Sequence, residues 1–281
     1  MPGQLVLLDD AWPEDLDLTS ETVDFRAWGP LLRYCAPERL IDRFYIENWQ
    51  LFAPFKLYGS GDFHHLTALW LRAFEDPPIL VSFDNHPDWD TRPPRWCCGT
   101  WVSRALEEDA FEHAAIWGCA NFELNAPHRW FANHKGLRSG KLEIWPWIER
   151  FGPSARRMFT GITRADWQDQ FTRFLQRLDG RSVYITIDLD CLARAEAITD
   201  WEQGLFTVSD LEWALNALSS ANKIVGGDIC GAHSTARYSR WTQQRTAVID
   251  HPKPKSKNQV SPGATNLAAV KRLWPLLAGN N

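Results

Sequence analysis

The stretch that decides the fold is Ile79–Asp90, ILVSFDNHPDWD. In it, a mostly apolar run of five residues leads directly into Asp84, His86 and Asp88. The run Ile79–Phe83 is typical of a buried strand of a parallel sheet. Because alternate residues of an extended chain share a face, we expect the three polar side chains to converge just beyond the strand's carboxyl end. Ligand sites of open parallel sheets gather at that edge. The stretch therefore predicts a polar site there, although alone it also fits a polar turn.

The remainder of the chain alternates apolar strands with amphipathic helical segments, and no linker or internal repeat divides it. The predicted strands are Leu5–Leu8, Phe55–Tyr58, Ile79–Phe83, Ala115–Gly118, Leu142–Trp145, Val183–Ile187 and Lys223–Val225. The predicted helices are residues 66–74, residues 167–178, a helix opened by a capping box of Ser209 and Glu212, and the closing helix Leu267–Trp274. This alternation is the pattern of a parallel sheet covered on both faces. We therefore expect one domain over residues 1–281, a three-layer α/β/α fold with a mainly parallel sheet.

The composition excludes several classes of partner. The formal net charge is −5 without a basic stripe, which argues against nucleic acid and an anionic membrane surface. The one basic run, Lys253, Lys255 and Lys257, is interleaved with Pro and Ser and is interpreted as a solvated loop. No apolar run approaches the roughly 20 residues that span a bilayer, and the acidic first residues do not resemble a signal peptide. Since the six cysteines form no CxxC pair, we expect a cytoplasmic protein. Its expected partner is a small molecule or a peptide side chain, and the sequence leaves its oligomeric state open.

A second pair of acids follows a later strand. The segment YITIDLDCL places Asp188 and Asp190 at the end of an apolar run. Two carboxylates on one face of a buried strand repel each other and are costly to desolvate, so a positive partner is expected between them. A divalent cation meets that need, because carboxylates with imidazoles suit Mn²⁺, Fe²⁺ or Zn²⁺. Arginines or helix N-termini are the alternative partners. Upstream, the GSGDFHHLT loop offers His64 as a sixth ligand.

In this order the motifs resemble those of the ureohydrolase superfamily of arginase, agmatinase and formiminoglutamase. Gly61–His64 looks like the Gly-Gly-Asp-His loop of that family with one residue inserted, and Asp84–Asp88 looks like its Asp-Ala-His-x-Asp motif. Ile187–Asp190 is similar to its Phe-Asp-x-Asp, and Gln203–Thr207 to the Gly-Gly-Leu-Thr that opens the next helix. The resemblance covers residues 55–235 and implies an arginase-like α/β fold.

The resemblance also implies a pair of manganese ions, with zinc or iron as alternatives, and hydrolysis of a C–N bond by a hydroxide that bridges them. One ion would be held by His64, Asp84, Asp88 and Asp188, and the other by His86, Asp84, Asp188 and Asp190. Asp84 and Asp188 would therefore bridge, and Asp88 would also accept a hydrogen bond from the hydroxide. The implied substrate is a guanidino compound, a peptidyl arginine or a related compound.

The substrate-side residues of the family do not carry over. Its fourth motif, Asp-x-x-Glu, binds the guanidinium through the Glu, whereas here Asp228 is followed by Gly231. The family's proton-shuttling His should fall in residues 95–101, RWCCGTW, which contain no His. The candidates in their place are Asp228, Glu202 and Asp200 as acids for a cationic head group, and His65 and His233 for proton transfer. Each also has a structural interpretation as a cap, a surface group or a satisfied polar residue.

These departures predict a reshaped cavity mouth. Gly231 lacks the acid of the family, and the loop Arg92–Trp101 carries bulky rings. The tryptophans predicted beyond strand ends are Trp89, Trp96, Trp101 and Trp201. We expect them to pack, with an aromatic wall around a cationic substrate as the alternative, and we interpret Cys97 and Cys98 as structural. Free arginine is therefore expected to be a poor substrate, and a bulkier or differently charged C–N compound a better one.

Two other functions fit parts of the pattern. The histone-deacetylase-like enzymes share the fold, bind one zinc through an Asp-x-His strand end and place consecutive histidines upstream, as His64 and His65 are placed here. Asp88 and Asp190 argue against this alternative, because they complete a second metal position. The other alternative is a non-catalytic binding protein that retains its metals. The absence of the family's Glu and His supports this alternative, whereas the retention of all six candidate ligands argues against it.

Overall fold

The computed structural model describes residues 3–252 and 261–279. The basic run Lys253, Lys255 and Lys257, predicted to be a loop, lies outside the described residues. The strands are β1 (Gln4–Leu7), β2 (Glu21–Asp24), β3 (Phe55–Leu57), β4 (Ile79–Phe83), β5 (His113–Trp117), β6 (Leu142–Trp145), β7 (Ser182–Asp188) and β8 (Lys223–Cys230). They form one sheet in the order β2-β1-β3-β8-β7-β4-β5-β6, in which every neighbouring pair is parallel.

Helices connect the strands. They are α1 (Gly29–Leu32), α2 (Glu38–Asn48), α3 (Thr67–Leu71), α4 (Trp101–Glu107), α5 (His134–Ser139), α6 (Pro153–Arg156), α7 (Trp167–Leu178), α8 (Val208–Ala221), α9 (Trp241–Asp250) and α10 (Pro262–Ala278). A 3-10 turn, Gly61–Leu66, joins β3 to α3. Across the part of the chain that the structure describes, no helix is both long and apolar enough to cross a membrane.

Successive strand residues enter two different apolar cores. On β4, Val81 and Phe83 lie in one core together with residues of α7, α8 and α10. Leu80, between them, lies in the other core with residues of α2, α3 and α4. This follows from the two-residue period of a strand, which directs neighbouring side chains to opposite faces. Two cores separated by one sheet make three layers, so the predicted α/β/α fold with a parallel sheet is confirmed.

Most predicted elements lie where the sequence placed them, and the differences have local causes. The capping box of α8 was predicted wrongly: Thr207 Oγ1 accepts from the Asp210 N–H at 3.1 Å, and Asp210 accepts from the Thr207 N–H at 2.7 Å. Helix α8 therefore begins at Val208, two residues earlier than a helix capped by Ser209 would begin. Strand β2 was missed because none of its side chains is buried, so it carries no apolar alternation. Helices α2, α4 and α9 were also missed.

The sheet order brings distant segments of the chain together. β4 and β7 are neighbours, and their register pairs Phe83 with Ile187, so the residues that follow, Asp84 and Asp188, lie side by side at the carboxyl edge. On the other side of β7, Asp188 pairs with Cys230 of β8. The turn after β3 adds its histidines at the same edge. The fold thus places every strand-end motif of the sequence at one site.

Candidate metal centre

All six predicted ligands meet at the carboxyl edge of the sheet. They are His64, Asp84, His86, Asp88, Asp188 and Asp190, and none is more than 7% exposed. Three groups among the described residues have ligand atoms close enough together to hold a metal ion, and two of them consist of predicted ligands only: His64, Asp84 and Asp88, and Asp84, His86 and Asp190. The third is His64, Asp228 and Cys230. Because Asp84 belongs to both of the groups made of predicted ligands, the geometry fits two ions that share this carboxylate.

The first group centres on one nitrogen of His64. Its Nδ1 lies 3.2 Å from Asp84 Oδ2, 3.2 Å from Asp88 Oδ2 and 3.6 Å from Asp188 Oδ2. His64 reaches this position from the turn Gly61–Leu66, which begins where Ser60 Oγ accepts a hydrogen bond from the Asp62 N–H at 3.3 Å. A single imidazole nitrogen that faces three carboxylates marks a position for a cation.

The second group centres on His86. Its Nδ1 lies 2.7 Å from Asp190 Oδ2 and 3.7 Å from Asp84 Oδ1. Backbone N–H groups fix the carboxylates: His86 donates to Asp84 Oδ1 at 2.7 Å, and Asn85 donates to Asp190 Oδ1 at 3.1 Å. The hydrogen bonds leave other oxygens of the same groups directed at the site.

Asp88 is held by the helix that follows it. Trp101 Nε1 donates to Asp88 Oδ2 at 2.6 Å, and the Val102 N–H donates to the Asp88 carbonyl at 3.1 Å. These bonds maintain a φ of +48°, a left-handed conformation that is uncommon outside glycine although Asp tolerates it. Trp101 was predicted as a loop residue used for packing, and it is instead the first residue of α4 and a hydrogen-bond donor to a ligand.

The charges of the site fit bound cations. Burial, together with the charge of Asp84, raises the pKa of Asp88 to about 7 and that of Asp188 to about 6. Burial and the charge of Asp188 raise the pKa of Asp190 well above its ordinary value. Four carboxylates in one buried place repel one another, and divalent cations would relieve that repulsion. The donor set of oxygens and imidazole nitrogens suits Mn²⁺, Fe²⁺ or Zn²⁺.

The second nitrogen of His64 leads to Asp228. His64 Nε2 lies 2.9 Å from Thr186 Oγ1, and that hydroxyl donates to Asp228 Oδ1 at 2.6 Å. Tyr184 and Thr67 donate to the other oxygen at 2.7 and 3.0 Å. Asp228 is fully buried and does not line the cavity. The hypothesis that Asp228 meets the substrate is therefore wrong, because its oxygens are occupied by hydroxyl groups one layer behind the ligands.

Glu202 has the corresponding position behind His86. Its Oε2 lies 3.4 Å from His86 Nε2, while its backbone carbonyl accepts from Asn85 Nδ2 at 2.8 Å. The Glu202 side chain is 38% exposed and is not part of the cavity lining. This placement favours a role beside His86, and a direct substrate role for Glu202 stays a prediction. Each metal-site histidine thus presents Nδ1 to the site and Nε2 to an outer carboxylate, directly or through Thr186, the arrangement that orients metal-binding histidines.

The other proposed substrate and proton-transfer residues lie away from the cavity. His65 is fully buried, neither ring nitrogen has a hydrogen-bond partner, and burial lowers its pKa to about 3. His65 is enclosed away from the cavity lining, so it is not placed to transfer a proton there. Asp200 binds Arg33, Ser60 and His233. Asp200 therefore joins the ionic network around the buried Arg33, the half-exposed His233 pairs with Asp200, and neither residue lines the cavity.

The cavity above the ligands has acids that sequence reasoning missed. It encloses about 320 Å³ including its mouth. Its lining adds Gly61, Cys98, Gly99, Glu123, Trp201 and Asp250 to five of the predicted ligands. Glu123 Oε2 is buried without a hydrogen-bond partner, and burial raises the pKa of Glu123 to about 8. Asp250 accepts a hydrogen bond from the Tyr34 hydroxyl at 3.0 Å. Among the described lining residues there is no Lys or Arg, so the walls are acidic.

One of the two missed acids has a recognisable position. Glu123 comes in the loop after β5, a strand predicted from the sequence, and loops at carboxyl ends of parallel strands carry ligand contacts. That rule alone was sufficient to find Glu123. Asp250 ends α9, a helix that was not predicted, and no local signal singled it out. Of the four tryptophans, Trp89, Trp96 and Trp101 are buried in packing, and Trp201 lines the cavity.

Gly231 has a different role from the one expected. Its φ is +97°, and a Cβ there would lie 2.1 Å from Asp188 Oδ1 and 2.6 Å from the Leu189 nitrogen. The backbone at Gly231 therefore contacts a ligand directly and leaves no room for a side chain. The space that a side chain at Gly231 would need is already occupied by Asp188.

Comparison with known proteins fits this geometry. Residues 61–247, which include all three ligand motifs, match the Arginase family model. The chain is 28% identical over 195 residues to an uncharacterised protein of Thermotoga maritima (68% of this chain, 62% of that protein). It is 31% identical over 97 residues to an agmatinase of Bacillus anthracis (34% and 31%), so it spans less than two thirds of either relative. The crystal structure of formimidoylglutamase from Bacillus subtilis has the same fold, with a TM-score of 0.58, 13% identity and coverage of 99% of this chain and 87% of that one. The resemblance seen in the motifs is confirmed: the chain is a divergent member of the arginase family.

Proposed function

We propose that this chain is a binuclear-metal hydrolase that cleaves a C–N bond in a compact, cationic substrate. The observation that carries the proposal is the convergence of five buried candidate ligands into two groups that share Asp84, with Asp188 Oδ2 3.6 Å from His64 Nδ1 beside the first group. Membership of the arginase family supports hydrolysis of C–N bonds. Two groups favour two ions over the single zinc of a deacetylase, and we expect both ions to be Mn²⁺, with Zn²⁺ or Fe²⁺ as alternatives.

The chain's own residues position the reactants. Two cations, when bound, supply Lewis-acid activation of the attacking water and of the scissile group. Asp88 lines the cavity and is oriented by Trp101, so it is placed to accept a hydrogen bond from that water. Thr186 and Glu202 keep the Nδ1 atoms of the two metal-site histidines directed inwards.

The acidic walls support a cationic substrate. Glu123 has a buried oxygen without a partner, and Asp250 lines the same cavity. A guanidinium, amidinium or ammonium group would satisfy both carboxylates. Without the open space at its mouth, the cavity has a volume of about 30 Å³, well below the roughly 300–1,000 Å³ typical of ligand pockets. A compact substrate therefore fits better than the bulkier compound that the sequence suggested.

The reaction is tested with purified, Mn²⁺-loaded protein and a panel of C–N compounds. Agmatine, arginine, an arginine peptide, a formimino amino acid and an acetylated diamine are incubated separately, and urea, ammonia and acetate are measured. We expect two ions per chain and urea or ammonia release, abolished in Asp190→Asn and unchanged in the surface control Glu149→Gln. One ion with acetate release would indicate the deacetylase, and two ions with no turnover would indicate the non-catalytic protein.

Substrate charge is tested at Glu123. Removing a carboxylate that pairs with a buried cation costs about 2–5 kcal/mol, which is at least tenfold in kcat/KM at roughly 1.4 kcal/mol per tenfold. Glu123→Gln should therefore raise the KM for agmatine at least about tenfold. The KM for the matched guanidino acid, which has a carboxylate in place of the terminal amine of agmatine, should change little. Equal losses for the two compounds would show that Glu123 does not recognise charge.

A further inference from the structure

Two cysteines lie opposite each other beside the cavity. Cys35 and Cys97 form an isolated antiparallel bridge between the segment after α1 and the loop before α4. The Ala36 N–H donates to the Trp96 carbonyl at 2.9 Å, and the Cys98 N–H donates to the Tyr34 carbonyl at 3.0 Å. Both hydrogen bonds are made by the neighbours of the paired cysteines, not by the cysteines themselves. Cys35 and Cys97 are therefore a non-hydrogen-bonded pair.

The backbone pairing of Cys35 and Cys97 is of a type that permits a disulfide. In a non-hydrogen-bonded antiparallel pair the Cα atoms are about 4.5 Å apart and the side chains are at their closest. A disulfide requires Cα atoms about 4.4–6.8 Å apart. The backbone thus already meets the main geometric condition for a bond between Cys35 and Cys97, although both are free thiols in the structure.

The surroundings of the pair connect it to the cavity. The next two residues, Cys98 and Gly99, form part of the cavity lining. Tyr34, beside Cys35, donates its hydroxyl to Asp250 on the lining of the same cavity at 3.0 Å. Cys35 is partly exposed, whereas Cys97 is buried, so Cys35 is the thiol that a dissolved oxidant reaches first.

We propose that Cys35 and Cys97 are a disulfide site, and that oxidation of this pair ties the Cys98–Gly99 wall of the cavity to the segment that carries Tyr34. With oxidised glutathione as the oxidant, the Cys35 thiolate attacks one glutathione sulfur and releases one glutathione thiol. Cys97 then attacks the Cys35 sulfur and releases the second. The protein loses two hydrogens and two electrons, and two glutathione molecules are formed, so the exchange balances.

The reaction should be slow. Burial, together with the neighbouring Cys97, raises the pKa of Cys35 to about 12, so little thiolate is present at neutral pH. The neighbouring pair of Cys97 and Cys98 has its sulfur atoms 4.0 Å apart. It is the weaker competitor, because a ring between adjacent residues strains the peptide bond that joins them.

The test is disulfide mapping of the full chain. The reduced protein is incubated with oxidised glutathione, alkylated and digested with trypsin, which releases residues 34–39 and 96–104. We expect these two peptides to be joined in the wild type and in Cys98→Ser, and to stay separate in Cys35→Ser. Closing this long loop should raise the Tm by about 5–10 °C, and Mn²⁺ affinity should change by less than about twofold because no ligand is part of the bridge.

Several outcomes would overturn the proposal. A Cys97–Cys98 bond, glutathione that stays on Cys35, or no joined peptide with either oxidised glutathione or the small oxidant diamide would each do so. All of these readouts are independent of turnover. The disulfide site can therefore fail while the proposed hydrolase stands, and the reverse also holds.

Discussion

Replacing Thr186 with Val removes the hydroxyl that joins His64 to Asp228 and keeps the shape of the side chain. In the folded protein this hydroxyl lies 2.9 Å from His64 Nε2 and donates to Asp228 at 2.6 Å. Because its hydrogen is given to Asp228, its lone pair faces Nε2 and requires a proton there. That leaves Nδ1 free to bind a cation. Thr186 therefore sets the tautomer of His64.

The magnitude follows from the groups left unsatisfied. Asp228 would keep the hydrogen bonds from Tyr184 and Thr67, whereas the buried Nε2–H of His64 has no other protein partner among the described hydrogen bonds. An unsatisfied buried donor costs about 1–3 kcal/mol, which is roughly 5- to 150-fold at about 1.4 kcal/mol per tenfold. Loss of an outer-layer partner typically lowers metal affinity by about 10–100-fold. We expect Thr186→Val to fall in that range.

The assay compares Mn²⁺ affinity with stability in matched variants. Affinity is measured by calorimetric titration, and the Tm is measured on the metal-free protein. Tyr184→Phe is the control, because it removes another hydroxyl from Asp228 without touching His64, and Thr186→Ser should keep near wild-type affinity. The reasoning is refuted if Tyr184→Phe weakens Mn²⁺ binding as much as Thr186→Val does, or if Thr186→Val binds both ions with wild-type affinity.

Three further changes test other parts of the structure. Gly231→Ala forces a Cβ to within 2.1 Å of Asp188, so it should lower the stability by about 1–3 kcal/mol and weaken Mn²⁺ binding. The control Gly152→Ala has open space around the new Cβ, and it should change neither the stability nor the affinity in the same titration. Asp188→Asn should lose most of both ions by elemental analysis, and two ions at full affinity would disprove a bridging role. Burial disfavours the charged form of His251, but the hydrogen bond to Asp62 outweighs it and raises the pKa of His251. The contribution of the His251–Asp62 pair to folding stability is therefore complete below about pH 6.5, and it is lost as the pH rises through the pKa of His251 in the folded protein. The Tm difference between wild type and His251→Gln should therefore be largest near pH 5.5 and should shrink towards pH 9, and a difference that grows with pH would contradict this pairing.

The convergence of the candidate ligands was predictable because it depends on short-range rules. Asp84, His86 and Asp88 follow a strand at alternate positions, and Asp188 and Asp190 do the same after another strand. A two-residue period and the shared carboxyl edge of parallel strands are sufficient to bring such groups together. The parallel sheet and its helical layers were predictable for the same reason.

The cavity walls were not predictable from those rules. Asp250 reaches the cavity from the end of α9, and Tyr34, which binds it, comes from the opposite end of the chain. The pairing of Cys35 with Cys97 depends on two loops whose register only the folded backbone defines. Contacts between loops distant in sequence depend on tertiary packing, and residue spacing carries no signal for them.

The misassignment of Asp228 shows how depth along a strand decides the role of a polar residue. Register places Asp188 beside Cys230 at the carboxyl edge, and Thr186 beside Asp228 two residues further inside. The inner row continues through Lys56 on β3, which pairs with Asp228 in the sheet, and all three inner residues are buried. Burial lowers the pKa of Lys56 to about 7 and raises the pKa of Asp228, whose oxygens accept hydrogen bonds from hydroxyl groups. Residues that pair across neighbouring strands lie at the same depth below the carboxyl edge of the sheet. Asp228 lies two residues before the end of its strand, so it does not reach the cavity that the last strand residues line. Such an acid can only orient the residues of the outer row, as Asp228 does for His64 through Thr186.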